Sequence, residues 1–482
     1  MKTSAGKLFN LFFILALTQS SFAQQQNFEG AWQGVLHTGV DLRLVFHLNA
    51  DAQGHWKATL DSPDQSSFGI PTDSVSVSGS NVFIKENKLK ISYEGGLTND
   101  STITGTFHQG EFRQQLVLHK TIKKLEAPKR PQTPKPPYPY LSLDVLFTNA
   151  KTGITYGATY TRPAYDEKVI YKKLPLFPAI VFITGSGAQD RDETIFNHKP
   201  FAVIADYLTR RGFACLRIDD RGVGKTTGVF DTSTSLDFSN DVEAALNYLK
   251  SRPDIDKNKM GLLGHSEGGM IAPMVAARRK DVKFLVLLAG PGTMGADLLA
   301  EQNAAIFKSQ GVSDSTAAAF QVLFRNLLTE VINTSDSVVL VEKMDALVNN
   351  WSANDQMKKE LNLYTPEEKT RYRKTILPSL ENKWMRYFLA YDPTVDLKNL
   401  RIPVLAINGE RDIQVLPASN IAGIKNAFSK NPKYLETKIF PGANHLFQLC
   451  KTCTVMEYAS LEQTVDPQIL VYITNWLKKV TK

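Results

Sequence analysis

Two different patterns of hydrophobic and polar residues divide the chain. Between about residues 27 and 122, apolar side chains alternate with polar ones in short runs, as in the segment 42–48. Alternation with a period of two, interrupted by Gly, Asn, Asp and Ser, is typical of antiparallel strands with one face in solvent. About eight such runs fit a small barrel or sandwich. We therefore predict an all-β domain, barrel- or sandwich-like, over residues 24–126.

After Tyr140 the pattern changes. Short, nearly continuous apolar runs alternate with segments whose apolar residues recur every three or four positions. This alternation predicts a mostly parallel, doubly wound sheet with helices on both faces, here over residues 140–482. Two opening strands are predicted over residues 141–147 and 154–161. The later predicted strands are residues 178–184, 213–218, 260–263, 284–289, 403–407 and 437–440, and the predicted helices are 201–211, 241–250 and 268–279.

Two segments interrupt these regular patterns. Residues 127–139 are rich in proline, which favours extended polyproline II structure, so we predict a semi-rigid, solvated linker. From about residue 291 to 398 the strand–helix alternation stops, although helix-like runs such as 317–332 continue. This stretch is too long for a loop, and we predict a helical lid over the carboxyl edge of the sheet.

The first residues are typical of a secretory signal peptide, residues 1–23. Lys2 and Lys7 precede the apolar run 8–17, and small residues follow at the positions that signal peptidase recognises. The run is too short to span a bilayer. We expect cleavage after Ala23, a secreted or periplasmic protein, and no membrane span after cleavage.

Composition excludes several classes of protein. Of the 482 residues, 43% are hydrophobic and 22% are charged, as in a globular protein rather than a disordered or collagen-like chain. The net charge of +8 is mild for this length and does not indicate nucleic-acid binding. The three cysteines are too few for a disulfide scaffold. Cys450 and Cys453 could form one disulfide or stay as two thiols, and their surroundings do not match a zinc site.

One motif carries candidate chemistry. Gly264-His265-Ser266-Glu267-Gly268 follows a predicted strand and opens a predicted helix. In this context the pattern G-x-S-x-G forms a nucleophile elbow, in which the serine hydroxyl is exposed and the glycines allow close backbone contact. Developing negative charge is favoured at the N-terminus of a helix. We therefore predict that Ser266 is a nucleophile.

A serine nucleophile needs a general base. The second region of the chain contains three histidines, His198, His265 and His445. His265 lies inside the motif and is expected to point away from the nucleophile. His445 lies in a loop after the last predicted strand. We predict that His445 is the base, with His198 as the alternative.

The base in turn needs a carboxylate that holds its tautomer. Asp412 follows the predicted strand 403–407, and Glu410 is a neighbouring competitor. The alternative role for Asp412 is a loop salt bridge with Arg411. The order serine, aspartate, histidine along the chain is the order that follows a nucleophile elbow in serine hydrolases. We predict that Asp412 completes a catalytic triad.

A tetrahedral oxyanion needs two backbone N–H donors. One donor is predicted to be the N–H of Glu267, directly after the nucleophile. The other is predicted in the loop after the strand 178–184, which reads Thr184-Gly185-Ser186-Gly187. We choose Ser186, with Gly187 as the alternative.

Three segments, residues 185–193, 219–224 and 264–269, resemble the α/β-hydrolase superfamily. The resemblance extends from about residue 140 to the C-terminus, and it is nearest to bacterial esterases close to the serine aminopeptidase-like and dienelactone hydrolase-like families. It implies the α/β-hydrolase fold and a carboxylesterase that acts on a small-molecule ester without a metal or organic cofactor. A serine peptidase acting on short peptides is the alternative. The resemblance does not cover the β domain.

Charged residues near these segments allow two roles. We predict that they brace loops through carboxylate–guanidinium pairs rather than bind substrate. The residues concerned are Asp190, Arg191, Asp192, Asp220 and Arg221. An exopeptidase would also need acidic groups for a free α-amine. Glu267 and Glu301 are the candidates, but the sequence does not position them.

Overall fold

The computed structural model describes residues 28–37, 41–65, 67–110, 112–122, 128–165 and 175–482. The chain divides into two compact units, an N-terminal one that ends at residue 126 and a larger one over residues 127–482. The predicted signal peptide, residues 1–23, lies outside the described residues, so export stays a prediction.

The described part of the N-terminal unit consists of nine antiparallel strands. They are β1 (Gly30–His37), β2 (Asp41–Ala50), β3 (Trp56–Ser62), β4 (Ser67–Pro71), β5 (Ser74–Ser78), β6 (Asn81–Glu86), β7 (Ile91–Asn99), β8 (Thr102–Gln109) and β9 (Phe112–Thr121). The sheet order is β4-β3-β2-β1-β9-β8-β7-β6-β5, and the sheet curls so that β3 contacts β5. Alternate side chains point inward, and Trp32, Phe46 and Tyr93 are fully buried. This half-barrel confirms the predicted all-β fold.

The described part of the larger unit contains one eight-stranded sheet. Its strands are β10 (Tyr140–Thr148), β11 (Thr155–Pro163), β12 (Phe177–Ile183), β13 (Ala214–Ile218), β14 (Ile255–His265), β15 (Val282–Leu288), β16 (Val404–Gly409) and β17 (Leu435–Phe440). Their order is β10-β11-β13-β12-β14-β15-β16-β17. β11 runs antiparallel to both of its neighbours, and the remaining pairs are parallel. The predicted mostly parallel sheet is confirmed.

Helices cover this sheet, whose inner strands are buried along almost their whole length. The covering helices are α1 (Pro200–Thr209), α2 (Ser235–Ser251), α3 (Glu267–Arg278), α11 (Pro417–Ala427) and α12 (Pro467–Val480). α2 begins earlier than the predicted start at Asp241, because Thr234 and Asp237 form a capping box at its N-terminus. Among the described residues, no helix is both long and apolar enough to cross a bilayer.

A helical insertion separates β15 from β16. Its helices are α4 (Gly295–Ser309), α5 (Asp314–Asn333), α6 (Ser337–Trp351), α7 (Asp355–Glu360), α8 (Pro366–Leu380), α9 (Lys383–Ala390) and α10 (Thr394–Leu397). Buried residues of the insertion such as Phe320, Leu327 and Trp351 belong to the same hydrophobic core as the sheet. The predicted helical insertion is confirmed, and its role as a lid stays a prediction.

The proline-rich segment lies against the larger unit. The Arg130 guanidinium donates hydrogen bonds to the carbonyl oxygens of Phe196 (2.9 Å) and Ala459 (2.7 Å). Gln132 donates to the carbonyl oxygen of Val465 at 2.7 Å. The sequence predicted a solvated spacer. The structure differs because these side chains satisfy main-chain carbonyls of neighbouring loops, which local composition does not reveal.

Candidate active site

Ser266 lies in the sharp turn between β14 and α3. Its backbone angles, φ 52° and ψ −120°, are unfavourable for a residue with a side chain. The glycines permit the turn, because a Cβ at Gly264 would lie 2.0 Å from the Gly268 carbonyl oxygen. A Cβ at Gly268 would lie 2.1 Å from the carbonyl oxygen of Ile183. Ser266 is half-buried at the start of α3, where the helix dipole favours negative charge.

Asp412 and His445 form a buried pair in the loops after β16 and β17. Oδ2 of Asp412 lies 2.8 Å from Nδ1 of His445, and the two residues are 3% and 4% exposed. The other carboxylate oxygen of Asp412 accepts the N–H groups of Gln414 (2.8 Å) and Val415 (2.9 Å). The Asp412 carboxylate thus accepts a hydrogen bond from Nδ1–H of His445. Nε2 of the same ring is left without a proton and can accept one from a nucleophile.

The structure brings Asp412 and His445 together but does not hydrogen-bond His445 to Ser266. In the part of the chain that is described, neither Nε2 of His445 nor Oγ of Ser266 has a hydrogen-bond partner. In unliganded enzymes such contacts are often long and tighten when substrate binds. The site therefore presents an oriented imidazole and a serine hydroxyl that are both unengaged.

His198 and Glu410, which the sequence offered as alternatives to His445 and Asp412, have other partners. His198 is buried, with Nδ1 2.8 Å from Oγ1 of Thr464 and Nε2 2.9 Å from the carbonyl oxygen of Tyr458. Burial lowers the pKa of His198 to about 4, so the ring is neutral near pH 7. Glu410 is exposed and lies 3.9 Å from Arg411. The loop salt bridge considered from the sequence therefore involves Glu410.

Two segments carry the predicted oxyanion donors. Glu267 is the first residue of α3, so its N–H has no acceptor within the helix. In the loop after β12, the Gly185 N–H donates to Oε1 of Glu193 at 2.7 Å. Among the described residues, no acceptor bonds the N–H groups of Ser186, Gly187 or Glu267. The predicted donors, the N–H groups of Glu267 and Ser186, are therefore free to bind an oxyanion, and so is that of Gly187, the alternative.

The sequence pattern of the alpha/beta hydrolase fold family matches residues 178–452, more than half of the chain. The chain belongs to this family. It is 26% identical over 305 residues to Esterase EstD of Thermotoga maritima, and the match covers 63% of this chain. It spans 62% of that relative's own length, which is less than two thirds. The chain is thus an α/β hydrolase that is similar to an esterase over part of its length.

Solved structures of other proteins also align with the chain. The Pf2001 esterase of Pyrococcus furiosus aligns over 74% of this chain and 99% of its own, with 14% identity and a TM-score of 0.42. Est1E of Butyrivibrio proteoclasticus, solved with ferulic acid, aligns over 68% and 94%, with 17% identity and a TM-score of 0.37. At this level of similarity no residue role transfers to the hydrolase.

Glu267 carries a buried carboxyl group whose surroundings the sequence did not reveal. Its Oε1 accepts hydrogen bonds from Oγ of Ser235 at 2.5 Å and from the indole N–H of Trp384 at 2.9 Å. Burial raises the pKa of Glu267, although hydrogen bonds from Ser235, Trp384 and Ser186 oppose the rise. The carboxyl group is therefore engaged by protein donors from the start of α2 and from α9.

Glu301, the other acid considered for a substrate amine, is engaged as well. Its Oε2 accepts a hydrogen bond from Oγ of Ser419 at 2.5 Å. Burial raises the pKa of the Glu301 carboxyl. Neither acid presents an unpartnered carboxylate to a free α-amine.

His265 belongs to a buried network that sequence reasoning missed. Its Nδ1 lies 2.9 Å from Oε1 of Glu193, and its Nε2 lies 3.1 Å from the carbonyl oxygen of His445. The same Glu193 oxygen accepts the Gly185 N–H. The network thus links the elbow, the loop after β12 and the loop of the predicted base. The pairing could not be read from the motif, because Glu193 is 72 residues from His265.

Ion pairs brace the loops around the elbow. Arg191 donates to both carboxylate oxygens of Asp219, at 2.9 and 2.5 Å. Arg221 donates to both oxygens of Asp241, at 2.6 and 2.8 Å. Guanidinium–carboxylate pairs of this kind fix geometry as well as charge. The predicted bracing role is confirmed for Arg191 and Arg221.

Asp220 differs from the other acids of these loops. It accepts hydrogen bonds from Oγ1 of Thr184 and from the Gln189 N–H, both at 2.9 Å. Burial raises the pKa of Asp220 to about 8, and the charges of Glu267 and Glu193 add to the rise. Its carboxyl therefore ties the loop after β12 to the loop after β13, and no cationic side chain of the described residues forms an ion pair with it.

Cys450 and Cys453 form a disulfide in the loop that follows the predicted base. Glu457 accepts hydrogen bonds from the N–H groups of residues 451–453 and closes this loop. Among the described residues, these two cysteines and Glu457 are the group whose potential metal-ligand atoms lie within 4.8 Å of one another. The disulfide removes the thiolates that a metal would need.

Proposed function

We propose that this hydrolase is a serine carboxylesterase in which Ser266 is the nucleophile, His445 the base and Asp412 the residue that orients it. The observation that carries the proposal is the buried Asp412–His445 pair, which leaves Nε2 of the imidazole as an acceptor. The strained turn at Ser266 and the similarity to an esterase support it. This combination of groups serves acyl transfer through a covalent intermediate.

In the proposed reaction the Ser266 hydroxyl transfers its proton to Nε2 of His445 as its oxygen attacks the ester carbonyl. The N–H groups of Glu267 and Ser186 donate to the resulting oxyanion. The C–O bond to the alcohol breaks, and His445 returns the proton to the leaving alkoxide. Water then attacks the acyl-enzyme with His445 again as the base, which releases the acid and restores the serine.

An ester rather than a peptide is the favoured substrate. A dedicated aminopeptidase places unpartnered acidic groups where they can hold a substrate ammonium. Here Glu267 and Glu301 already accept hydrogen bonds from serine hydroxyls. The resemblance to serine aminopeptidase-like and dienelactone hydrolase-like families makes a peptidase acting on short peptides the alternative. We therefore expect a small-molecule ester as the substrate and no cofactor.

Export is a separate part of the proposal. It is supported by the basic and apolar pattern of residues 1–23 and by the Cys450–Cys453 disulfide, since disulfides persist in oxidising compartments. N-terminal sequencing of protein from an extracytoplasmic fraction of the source cells is expected to begin at Gln24. A chain that is recovered there with Met1 intact contradicts cleavage.

The first experiment measures hydrolysis of p-nitrophenyl esters, from acetate to decanoate, by the mature protein and by Ser266→Ala. Aminoacyl-p-nitroanilides are assayed in parallel. We expect ester turnover by the wild type and none above background by the variant, because the nucleophile is missing. A fluorophosphonate probe is expected to label the wild type but not the variant. Anilide turnover above ester turnover would favour the peptidase, and silence on both with no labelling would overturn the triad.

A further inference from the structure

The carboxyl group of Glu267 joins three helices. Ser235 is the first residue of α2, Glu267 the first of α3, and Trp384 lies in α9 of the insertion. The hydroxyl of Ser235 and the indole N–H of Trp384 donate to the same oxygen of Glu267. Glu267 is 2% exposed, so water does not compete for these bonds. One carboxyl group thus ties the insertion to the residue that follows the proposed nucleophile.

Trp384 is itself held firmly within the insertion. Its ring stacks on Phe388, with ring centroids 5.6 Å apart. Arg386 in the same helix donates to the carbonyl oxygen of Thr334 at 2.9 Å and also bonds that of Val331. Both acceptors lie at the C-terminal end of α5. Trp384 is therefore packed within α9, and α9 is hydrogen-bonded to the end of α5.

Glu267 also supplies a proposed oxyanion donor through its main chain. Such a donor acts at about 2.7–3.1 Å from the oxyanion, and a displacement of about 1 Å can cost roughly 10²-fold in rate. The side chain and the N–H belong to one residue at the first turn of α3. The hydrogen bonds on the carboxyl group therefore restrain the donor as well.

We propose that Glu267 is a positioning residue whose carboxyl group couples the helical insertion, through Trp384, to the oxyanion hole. The hydrolase is then fully active only while α9 is docked on the elbow. The inference rests on the proposed function, because it assigns a catalytic role to the N–H of Glu267. It adds that the insertion acts on turnover as well as on access to the site.

A double-mutant cycle tests the coupling. Trp384→Phe removes the N–H donor and keeps an aromatic ring, whereas Glu267→Leu removes the acceptor. Trp351→Phe is the matched control, because Trp351 is a buried tryptophan of the insertion whose indole N–H has no partner among the described residues. Glu267→Gln keeps an acceptor oxygen and serves as the conservative variant. Each protein is assayed with p-nitrophenyl acetate for kcat and KM separately.

We expect Trp384→Phe to lower kcat roughly tenfold with little change in KM, since a misplaced donor affects the transition state more than substrate binding. Trp351→Phe is expected to keep kcat within about twofold of the wild type, because it removes no hydrogen bond to the elbow and its lost packing acts on stability. In the Glu267→Leu background, Trp384→Phe is expected to have no further effect. Glu267→Gln is expected to lie between the wild type and Glu267→Leu. Equal losses in both tryptophan variants, or additive losses with Glu267→Leu, would overturn the coupling.

Hydrogen exchange gives a readout that needs no substrate. Amides of α9, residues 383–390, are expected to exchange faster in both Trp384→Phe and Glu267→Leu than in Trp351→Phe, because the tether is lost in the first two. Unchanged exchange in α9 would contradict the tether. If the wild type shows neither ester turnover nor fluorophosphonate labelling, the proposed function fails, and the exchange data still decide whether the tether exists.

Discussion

At the scale of single residues, hydrogen-bond partners determine the charge of His265. Nδ1 faces the carboxylate of Glu193, and Nε2 faces the carbonyl oxygen of His445. Both partners accept hydrogen bonds, so the ring satisfies them by carrying two protons. Burial is the largest single influence and opposes this charge, but Glu193, the carbonyl oxygen of His445 and the charge of Asp412 together outweigh it and raise the pKa of His265. The raised pKa favours the protonated ring, which lies beside the proposed base with ring centroids 4.7 Å apart.

His265→Gln is expected to move the acidic limb of the pH–rate profile to higher pH by roughly one unit. The ionisable groups that face His265 are Glu193, Asp412 and His445. Gln cannot carry the second proton, so the variant leaves the Glu193 carboxylate facing the proposed base without a cation between them, which favours the protonated, inactive form of that base. Profiles of kcat/KM against pH for a p-nitrophenyl ester measure the shift. The double variant His265→Gln/Glu193→Gln removes both charges and is expected to return the limb toward the wild type, and an unmoved limb in His265→Gln would refute this role.

The Asp412–His445 pair could be predicted from the sequence, but the polar partners of His265 and Glu267 could not. A local motif identifies Ser266, because the strand, turn and glycines that it needs are adjacent in the chain. The partners of His265 and of Glu267 are distant, since Glu193 is 72 residues away from the first and Trp384 is 117 residues away from the second. Neither side chain has a sequence pattern that marks it as a partner. Such contacts depend on how the loops and the insertion fold over the sheet.

At the scale of elements, hydrophobic periodicity predicted the strands of the sheet better than the ends of the helices. Inner strands such as β13 and β16 are buried at every position, so their apolar runs are unbroken. The first turn of α2 carries few apolar residues, and its start at Ser235 depends on the Thr234 and Asp237 cap. The pattern Thr-x-x-Asp at residues 234–237 marks this start in the sequence.

The elbow stores backbone strain that substitution can release. Ser266→Gly and Ser266→Ala both remove the nucleophile, but only glycine adopts φ 52° without a steric penalty. We expect Ser266→Gly to be more stable than Ser266→Ala by about 1 kcal/mol, since relieved strain of about 1–3 kcal/mol exceeds the entropy cost of glycine. Urea unfolding of the two variants measures the difference.

An ordinary helical position provides the control for this comparison. Ala318 is exposed in the second turn of α5. Ala318→Gly is expected to destabilise the protein by up to about 1 kcal/mol, because glycine is a poor helix former. If glycine is more stable than alanine at residue 266 but less stable than alanine at residue 318, the gain at residue 266 comes from its backbone conformation. A Ser266→Gly variant that is less stable than Ser266→Ala would contradict the stored strain.

At the scale of the whole molecule, each of the two units has its own core, and local patterns predicted both fold types. The core of the half-barrel includes Trp32 and Tyr93, and that of the larger unit includes Phe182 and Trp351. What these patterns do not contain is the distribution of buried acids in the larger unit. Asp220 and Glu301 are partly buried and Glu267 is fully buried, and this burial raises the pKa values of all three carboxyl groups. Because of these raised pKa values, the free energy of unfolding depends on pH.

Asp220 gives this effect a definite sign. Burial raises the pKa of its carboxyl from 3.8 to about 8, so between these values the folded state holds a proton that the unfolded state has released. The stability that Asp220 contributes is therefore present at low pH and is lost as the pH rises through about 8. Asp220→Asn cannot ionise, and its amide can still accept from the Gln189 N–H and donate to Thr184. We expect the Tm of the variant relative to the wild type to increase steadily from pH 5 to pH 8. Calorimetric scans across this range measure the difference, and a Tm difference that is independent of pH would show that Asp220 is ionised throughout.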